Sequence, residues 1–198
     1  MPNEAQPLDK GTAHTEAQIR AHTIGELKPL SGPISIVDYD PRWPVLFARE
    51  AERIRSVLGQ LALQIEHIGS TSVPTLVAKP IIDILLVVTA SADEAAYVPP
   101  MEAAGYTLRI REPDWHEHRM FKGPDTDLNL HVFSLGCPEI DRLLLFRDRL
   151  RSSPDDREEY AHAKLALSRQ NWSYVQNYAD AKSPIVEAIL SGARRTAT

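Results

Sequence analysis

Apolar residues recur along this chain with two periods, and the places where the period changes divide it into elements. ISIV (Ile34–Val37) is a short strand candidate, and YDPRWP supplies turn chemistry. VLFAREAERIRSVLG then puts Leu46, Phe47, Ile54, Val57 and Leu58 at helical spacing, with Gly59 where a C-terminal cap belongs. LALQIEH alternates from Leu61, which predicts a strand with one buried face ending at Glu66 and His67. PIIDILLVV is almost continuously apolar, as expected of a central strand covered on both faces, and Asp83 is its only charge. SADEAAYVPPMEAAG predicts a helix capped by Ser91, with Asp93 and Glu94 near its positive end, broken or restarted at Pro99 and Pro100. YTLRI, HRMFK and LNLHVF alternate as successive strands of an antiparallel meander, parted by turn residues such as Gly123-Pro124-Asp125. From Pro138 the period turns helical. EIDRLLLFRDRLRSS comes first, and Ser153-Pro154-Asp155-Asp156 then opens DDREEYAHAKLALSRQNW. YVQNYADAKSPIVEAILSG follows, with a restart or kink at Pro184. The class predicted is α+β: a sheet with flanking helices and a helical C-terminal segment.

Residues 1–30 show no sustained periodicity and predict a mobile arm ahead of one domain over 31–198. No internal repeat is visible. With 198 residues and 43% hydrophobic content the chain can bury one sizeable core. A formal net charge of −5 argues against binding nucleic acid through a basic surface and leaves small anionic ligands as the easier partners. Cys137 is the single cysteine, so neither an internal disulfide nor a Cys-type metal site is expected. No apolar run reaches the ~20 residues that span a bilayer, and the first residues lack a secretory or transit pattern. A cytoplasmic location and no membrane partner are the expectation.

Gly69-Ser70-Thr71-Ser72 follows a predicted strand, and its composition permits a tight turn in which N–H groups and hydroxyls converge on an anion. Such turns are also common as ordinary loops. What distinguishes this one is its setting: Lys79 lies just before the strand that carries Asp83, so phosphate donors, a cation and a possible Mg²⁺ ligand fall in one unit. A carboxylate in a buried strand is costly unless paired, hydrogen-bonded or metal-bound, which makes Asp83 the leading catalytic candidate.

In this order VDYDPRWPVLFARE, IEHIGSTSVPTLVAKPIIDILLVV, HRMFKG, LNLHVF, LLLFRDRLRSSPDDREEYAHAKLAL and YADAKSPIVEAI resemble the GrpB family, over about residues 35–190. That family is similar to the nucleotidyltransferase superfamily of DNA polymerase beta-like enzymes, with related domains fused to dephospho-coenzyme A kinase. The resemblance implies a nucleotidyltransferase-like mixed or antiparallel sheet. It matches Gly69 and Ser70 to the nucleotide-phosphate turn and Asp83 to the first of two strand carboxylates. The second position is Leu85, and on LNLHVF the residues where a third acid would be sought are Asn129 and His131. Side chains two apart on a strand share a face, so an acid at 85 would share a metal with Asp83 and leucine cannot.

Substitutes are present. Glu66, His67 and His131 are candidate metal ligands beside Asp83, with His116 and His118 as further imidazoles more simply read as ordinary hydrogen-bonding residues. A mixed set of this kind suits Mn²⁺, Zn²⁺ or Fe²⁺ better than an oxygen-only Mg²⁺ site. Arg119 or Lys122 can clamp a phosphate, although alternation aims only one of them at the pocket. Tyr178 and Lys182, one helical turn apart, can reach a ligand together, and Trp43 beside Arg42 reads as a helix-packing anchor. The function implied is binding of ATP or another nucleoside triphosphate with a divalent metal, and transfer to a small-molecule acceptor that attacks the α-phosphorus in line. The alternatives are ATP-dependent ligation of a carboxylate and an amine, or a nucleotide or coenzyme sensor without catalysis, which Leu85 favours.

Overall fold

PIIDILLVV runs through the interior of the sheet, as its nearly continuous apolar content predicts. In the computed structural model, which describes residues 13–196, strand β2 (Ile82–Val88) lies between β1 (Gln64–Ile68), antiparallel to it, and β5 (Leu128–Ser134), parallel to it. Strands β4 (His118–Lys122) and β3 (Thr107–Glu112) complete the order β1-β2-β5-β4-β3, the last three as the expected antiparallel meander. Asp83 stands opposite Ile68 and Asn129; Leu85 stands opposite Glu66 and His131. Facing partners share a sheet face, so this register decides which residues can meet.

One face buries Ile65, Ile84, Leu86, Leu130, Val132 and Phe121 against helix α2 (Trp43–Leu58) and helix α3 (Glu94–Ala103), through Trp43, Ile54, Tyr97 and Met101. The other buries Ile68, Leu85, Val87 and Phe133 with Trp115 and with Ile140 of α4 (Pro138–Ser152). A third cluster, Val73, Leu76, Leu150, Tyr160 and Ile189, ties the segment after β1 to α4, α5 (Pro154–Ser168) and α7 (Ser183–Thr196). Helix α6 (Val175–Ala181) ends just before the restart at Pro184. Ser153 caps α5 by accepting from the Asp156 N–H, at 3.3 Å, as its sequence predicts. Among the described residues no helix is long and apolar enough to cross a membrane.

Four expectations are corrected. Helix α3 runs through Pro99 and Pro100 unbroken, although each lacks the N–H that would reach Ala95 or Ala96. Tyr97 and Met101, one turn apart and fully buried, hold it together by packing. Ser91 is not its cap: its hydroxyl donates to the Glu117 carbonyl and meets Ser134 Oγ, each at 2.9 Å, while Asp93 takes the cap position. Ile34–Val37 forms no strand, only a bridge from Val37 to Ala78. The predicted arm is docked where it is described. Helix α1 (Glu16–His22) carries a Thr15/Gln18 capping box, buries Ile19 and leads into a bridge from Thr23 to Ile110. Residues 1–12 of that arm lie outside the described residues.

Candidate functional site

Gly69 leaves β1 with φ +67°, a left-handed conformation open to glycine. A Cβ there would stand 2.9 Å from Asp83 Cβ and closer still to its carboxylate. The turn is therefore laid directly on the acid, and both the dihedral and the close approach require glycine. Backbone bonds from Ser72 N–H to Gly69 and from Val73 N–H to Ser70, 3.2 Å each, close a 3-10 turn over Ser70–Ser72. The Ser70 and Thr71 N–H groups head that turn, as at any helix start. The Thr71 and Ser72 side chains face inward. Thr71 donates to the Ile81 carbonyl (3.2 Å) and lies 3.0 Å from His67 Nε2; Ser72 donates to the Gly69 carbonyl (2.6 Å). With Thr71 and Ser72 turned inward, the expected four-residue donor loop narrows to Ser70 and the backbone.

Asp83 is partly covered. Asn129 donates to its Oδ1 at 2.7 Å, and His131 Nε2 lies 3.8 Å from the same oxygen. Burial pushes its carboxyl up, but His131, Asn129 and Lys182 together outweigh burial and hold it below the ordinary carboxylate range. Cations gather around it. Lys79, just ahead of β2, is pushed down by burial and by Lys182, with Asp83 opposing. Lys182 at the end of α6 is pushed down by burial while Asp83 and Asp180 pull it back up. Lys164 of α5 is almost fully buried, donates to the Val77 carbonyl, and is pushed to about 7 by burial and then by Lys182.

Two of these lysines arrive with a tyrosine in the same arrangement. Lys164 Nζ lies 5.2 Å from the Tyr160 ring centre and Lys182 Nζ 4.7 Å from that of Tyr178. Burial raises Tyr160 to about 12, and burial likewise raises Tyr178. The Tyr178 hydroxyl is buried without a hydrogen-bond partner among the described residues. Tyr160 and Lys164 are the residues that sequence reasoning missed, and a signal for them exists: YAHAK (160–164) repeats the pattern of YADAK (178–182).

Behind Asp83 the face continues into a file of titratable groups. His131 Nδ1 meets His118 Nε2 at 3.0 Å, and His118 Nδ1 meets Glu112 Oε2 at 2.6 Å. His118, read from sequence as an ordinary residue, thus joins the site's margin. His116 instead occupies a tight turn with φ +53°.

Three predicted residues lie elsewhere. Arg119 points to the α2/α3 face, where it bonds Glu94 at 2.5 Å and the Glu117 carbonyl at 2.8 Å. Of the two cations of that strand Lys122, opposite Asn129, is the one on the Asp83 face, paired with Asp127 at 3.1 Å. His67 points away from Asp83, stacked on Phe47 with ring centres 4.8 Å apart, and burial drives it down to about 4, so it is neutral near pH 7. Glu66 pairs with Arg147 of α4 at 2.8 Å. The expected Asp83, Glu66, His67 and His131 metal set does not assemble. Among the described residues no three His, Cys, Asp or Glu side chains converge tightly enough to hold a metal ion. One carboxylate ringed by lysines does not fit a two-metal site, whose cations need several oxygen ligands. Leu85, where a second acid would stand, is fully buried in the core beside Ile140.

A Gly-Ser turn laid on a strand carboxylate of a mixed sheet is the arrangement of a nucleotidyltransferase-like fold. A crystal structure of the Cid1 poly(U) polymerase with Mg 3'-dATP bound shares that fold at a TM-score of 0.51 and 11% identity, over 74% of this chain and 49% of the polymerase chain. Within that class the chain belongs to the GrpB family, whose "GrpB protein" model matches residues 33–192. The crystal structure of conserved protein GrpB from Enterococcus faecalis superposes with a TM-score of 0.72 at 31% identity, covering 82% of this chain and 98% of that one. UPF0157 protein BH1888 of Halalkalibacterium halodurans is 63% identical over 185 residues, 93% of this chain and 95% of its own length. A dephospho-CoA kinase of Mycobacterium tuberculosis is 31% identical over 199 residues; the match takes in 86% of this chain and 48% of the kinase. The chain therefore spans about half of that relative.

Proposed function

We propose that the Asp83 cleft binds a nucleotide through its phosphates, with Lys79, Lys164 and Lys182 supplying charge and Ser70 and the turn N–H groups supplying donors. The observation that carries this reading is that three lysines feel the charge of one carboxylate, two of them set over buried tyrosines. Burial holds all three lysines below their ordinary range, Lys182 adds repulsion on Lys79 and Lys164, and an incoming polyanion offsets that repulsion. A phosphate oxygen also offers the Tyr178 hydroxyl the partner it lacks. The fold shared with a nucleotide-binding polymerase and the kinship with dephospho-CoA kinases favour an adenine nucleotide or a coenzyme of that type. Such ligands belong to the reducing cytoplasm the sequence suggests.

Asp83 competes with the phosphates for the lysines in this reading, and its lone negative charge occupies them between binding events. A second reading, transfer to a small-molecule acceptor, is favoured by one observation: Asp83 is held ionised. A thermal-shift screen of ATP, pyrophosphate and coenzyme A, each with and without Mg²⁺ or Mn²⁺, tests the proposal, because a ligand selective for the folded state raises apparent stability. A metal-independent shift that falls in Lys182→Gln is expected. A shift and pyrophosphate release that both demand metal would make transfer the function, and no shift with any nucleotide would overturn the proposal.

A further inference from the structure

A cavity of about 590 Å³ opens beside the same turn, and none of Asp83, Lys79, Lys164 or Lys182 lines it. Its walls join Tyr39 and Phe47 to Arg147, Arg151 and Arg157, with Glu66 as its acid and Thr75 at its margin. Its size suits a small organic ligand. Arg147 and Arg151 stand one turn apart on α4, where like charges repel. Burial and then Arg147 push the Arg151 guanidinium down, while Asp148 and Glu66 pull it back.

These guanidiniums are held in place more by backbone carbonyls than by acids. Arg151 donates from Nε and Nη2 to the Ser72 carbonyl at 3.1 and 2.9 Å, and its nearest acid, Asp148, is 3.6 Å away. Arg157 donates to the Leu150 and Arg151 carbonyls at 3.1 and 3.4 Å. Arg147 is the one matched closely by acids, with Glu66 and Asp148 each at 2.8 Å. The neighbouring His67 is neutral, so it adds no charge. Thr75 keeps φ +69°, which a β-branched residue adopts only under constraint. Fixed, incompletely paired arginines beside aromatic rings match a phosphate joined to a flat ring, the one through fork-shaped donors and the other through stacking.

We propose that this cavity is a separate binding site for a phosphomonoester that carries an aromatic ring, the chemistry of a nucleoside monophosphate. It stands independently of the Asp83 reading. Calorimetric titration of the full chain with AMP and with inorganic phosphate tests it, using Arg157→Gln, Arg151→Lys and Lys182→Gln. The expected result is AMP binding at least tenfold tighter than phosphate, weakened tenfold or more by Arg157→Gln, weakened less by Arg151→Lys, and unchanged by Lys182→Gln. The Arg151→Lys variant retains the charge, so a fold defect in one arginine variant does not decide the outcome. Absence of AMP binding overturns the proposal, as does AMP binding that survives both arginine variants or is lost only in Lys182→Gln.

Discussion

Leu85 stands two residues from Asp83 on the same strand face, yet it belongs to the core with Ile68, Phe133 and Ile140. An aspartate there meets no water and no cation, so Leu85→Asp is expected to cost on the order of 4 kcal/mol or more in urea unfolding. Gly69→Ala is expected to cost about 2 kcal/mol, from its left-handed backbone and its contact with Asp83. His67 gives a pH signature. Its folded pKa is about 4 against an ordinary 6.5, so the unfolded chain takes up a proton that the native state refuses. Stability should fall as pH drops from 6.5 to 4, and His67→Gln should flatten that limb of the unfolding profile. At this scale Asp83 was legible as the lone charge of an apolar strand. Glu66 and His67 were also readable, since consecutive strand residues point to opposite faces and cannot both reach Asp83. That Arg147 claims Glu66 was not legible, because it depends on how α4 crosses the sheet.

The helices contribute the cations. YAHAK and YADAK lie on different helices, and each sets a lysine over its own buried tyrosine near Asp83. The spacing was visible in sequence, but the convergence needs α5 and α6 to pack beside one turn. Lys164 gives this arrangement a pH test. Its folded pKa is about 7 and its ordinary value 10.5, so between those limits the unfolded chain holds a proton that the native state has released. Stability from this group rises with pH across that window and is lowest below pH 7. Lys164→Met should therefore gain most over the parent protein at pH 6 and lose that advantage toward pH 10. Helix α3 shows the limit of local rules: two prolines predict a break, and burial of Tyr97 and Met101 overrides it.

At the scale of the molecule, a net charge of −5 coexists with local basic clefts, so overall charge misleads about the site while still fitting small anions. The N-terminal segment is part of the described body. Ile19 is buried, Ile24 and Leu30 donate backbone bonds to Arg109 and Ser173, and His14 pairs with Asp180 at 3.0 Å. His14, Ile19 and His22 line a cavity of about 220 Å³ together with His118 and His131. Deleting residues 1–30 should lower Tm by roughly 4–8 °C in calorimetry, corresponding to about 2 kcal/mol of lost apolar burial. An unchanged Tm would restore the picture of a free arm.

The central claim is that lysines, not a carboxylate-held metal, hold the nucleotide. ATP affinity of the parent protein and Asp83→Asn, measured by calorimetry in excess chelator, tests it directly. Removing one negative charge from among three lysines should leave ATP affinity equal or raise it by up to about tenfold, on the scale of one close charge interaction. A tenfold or greater loss of ATP binding in Asp83→Asn would contradict it.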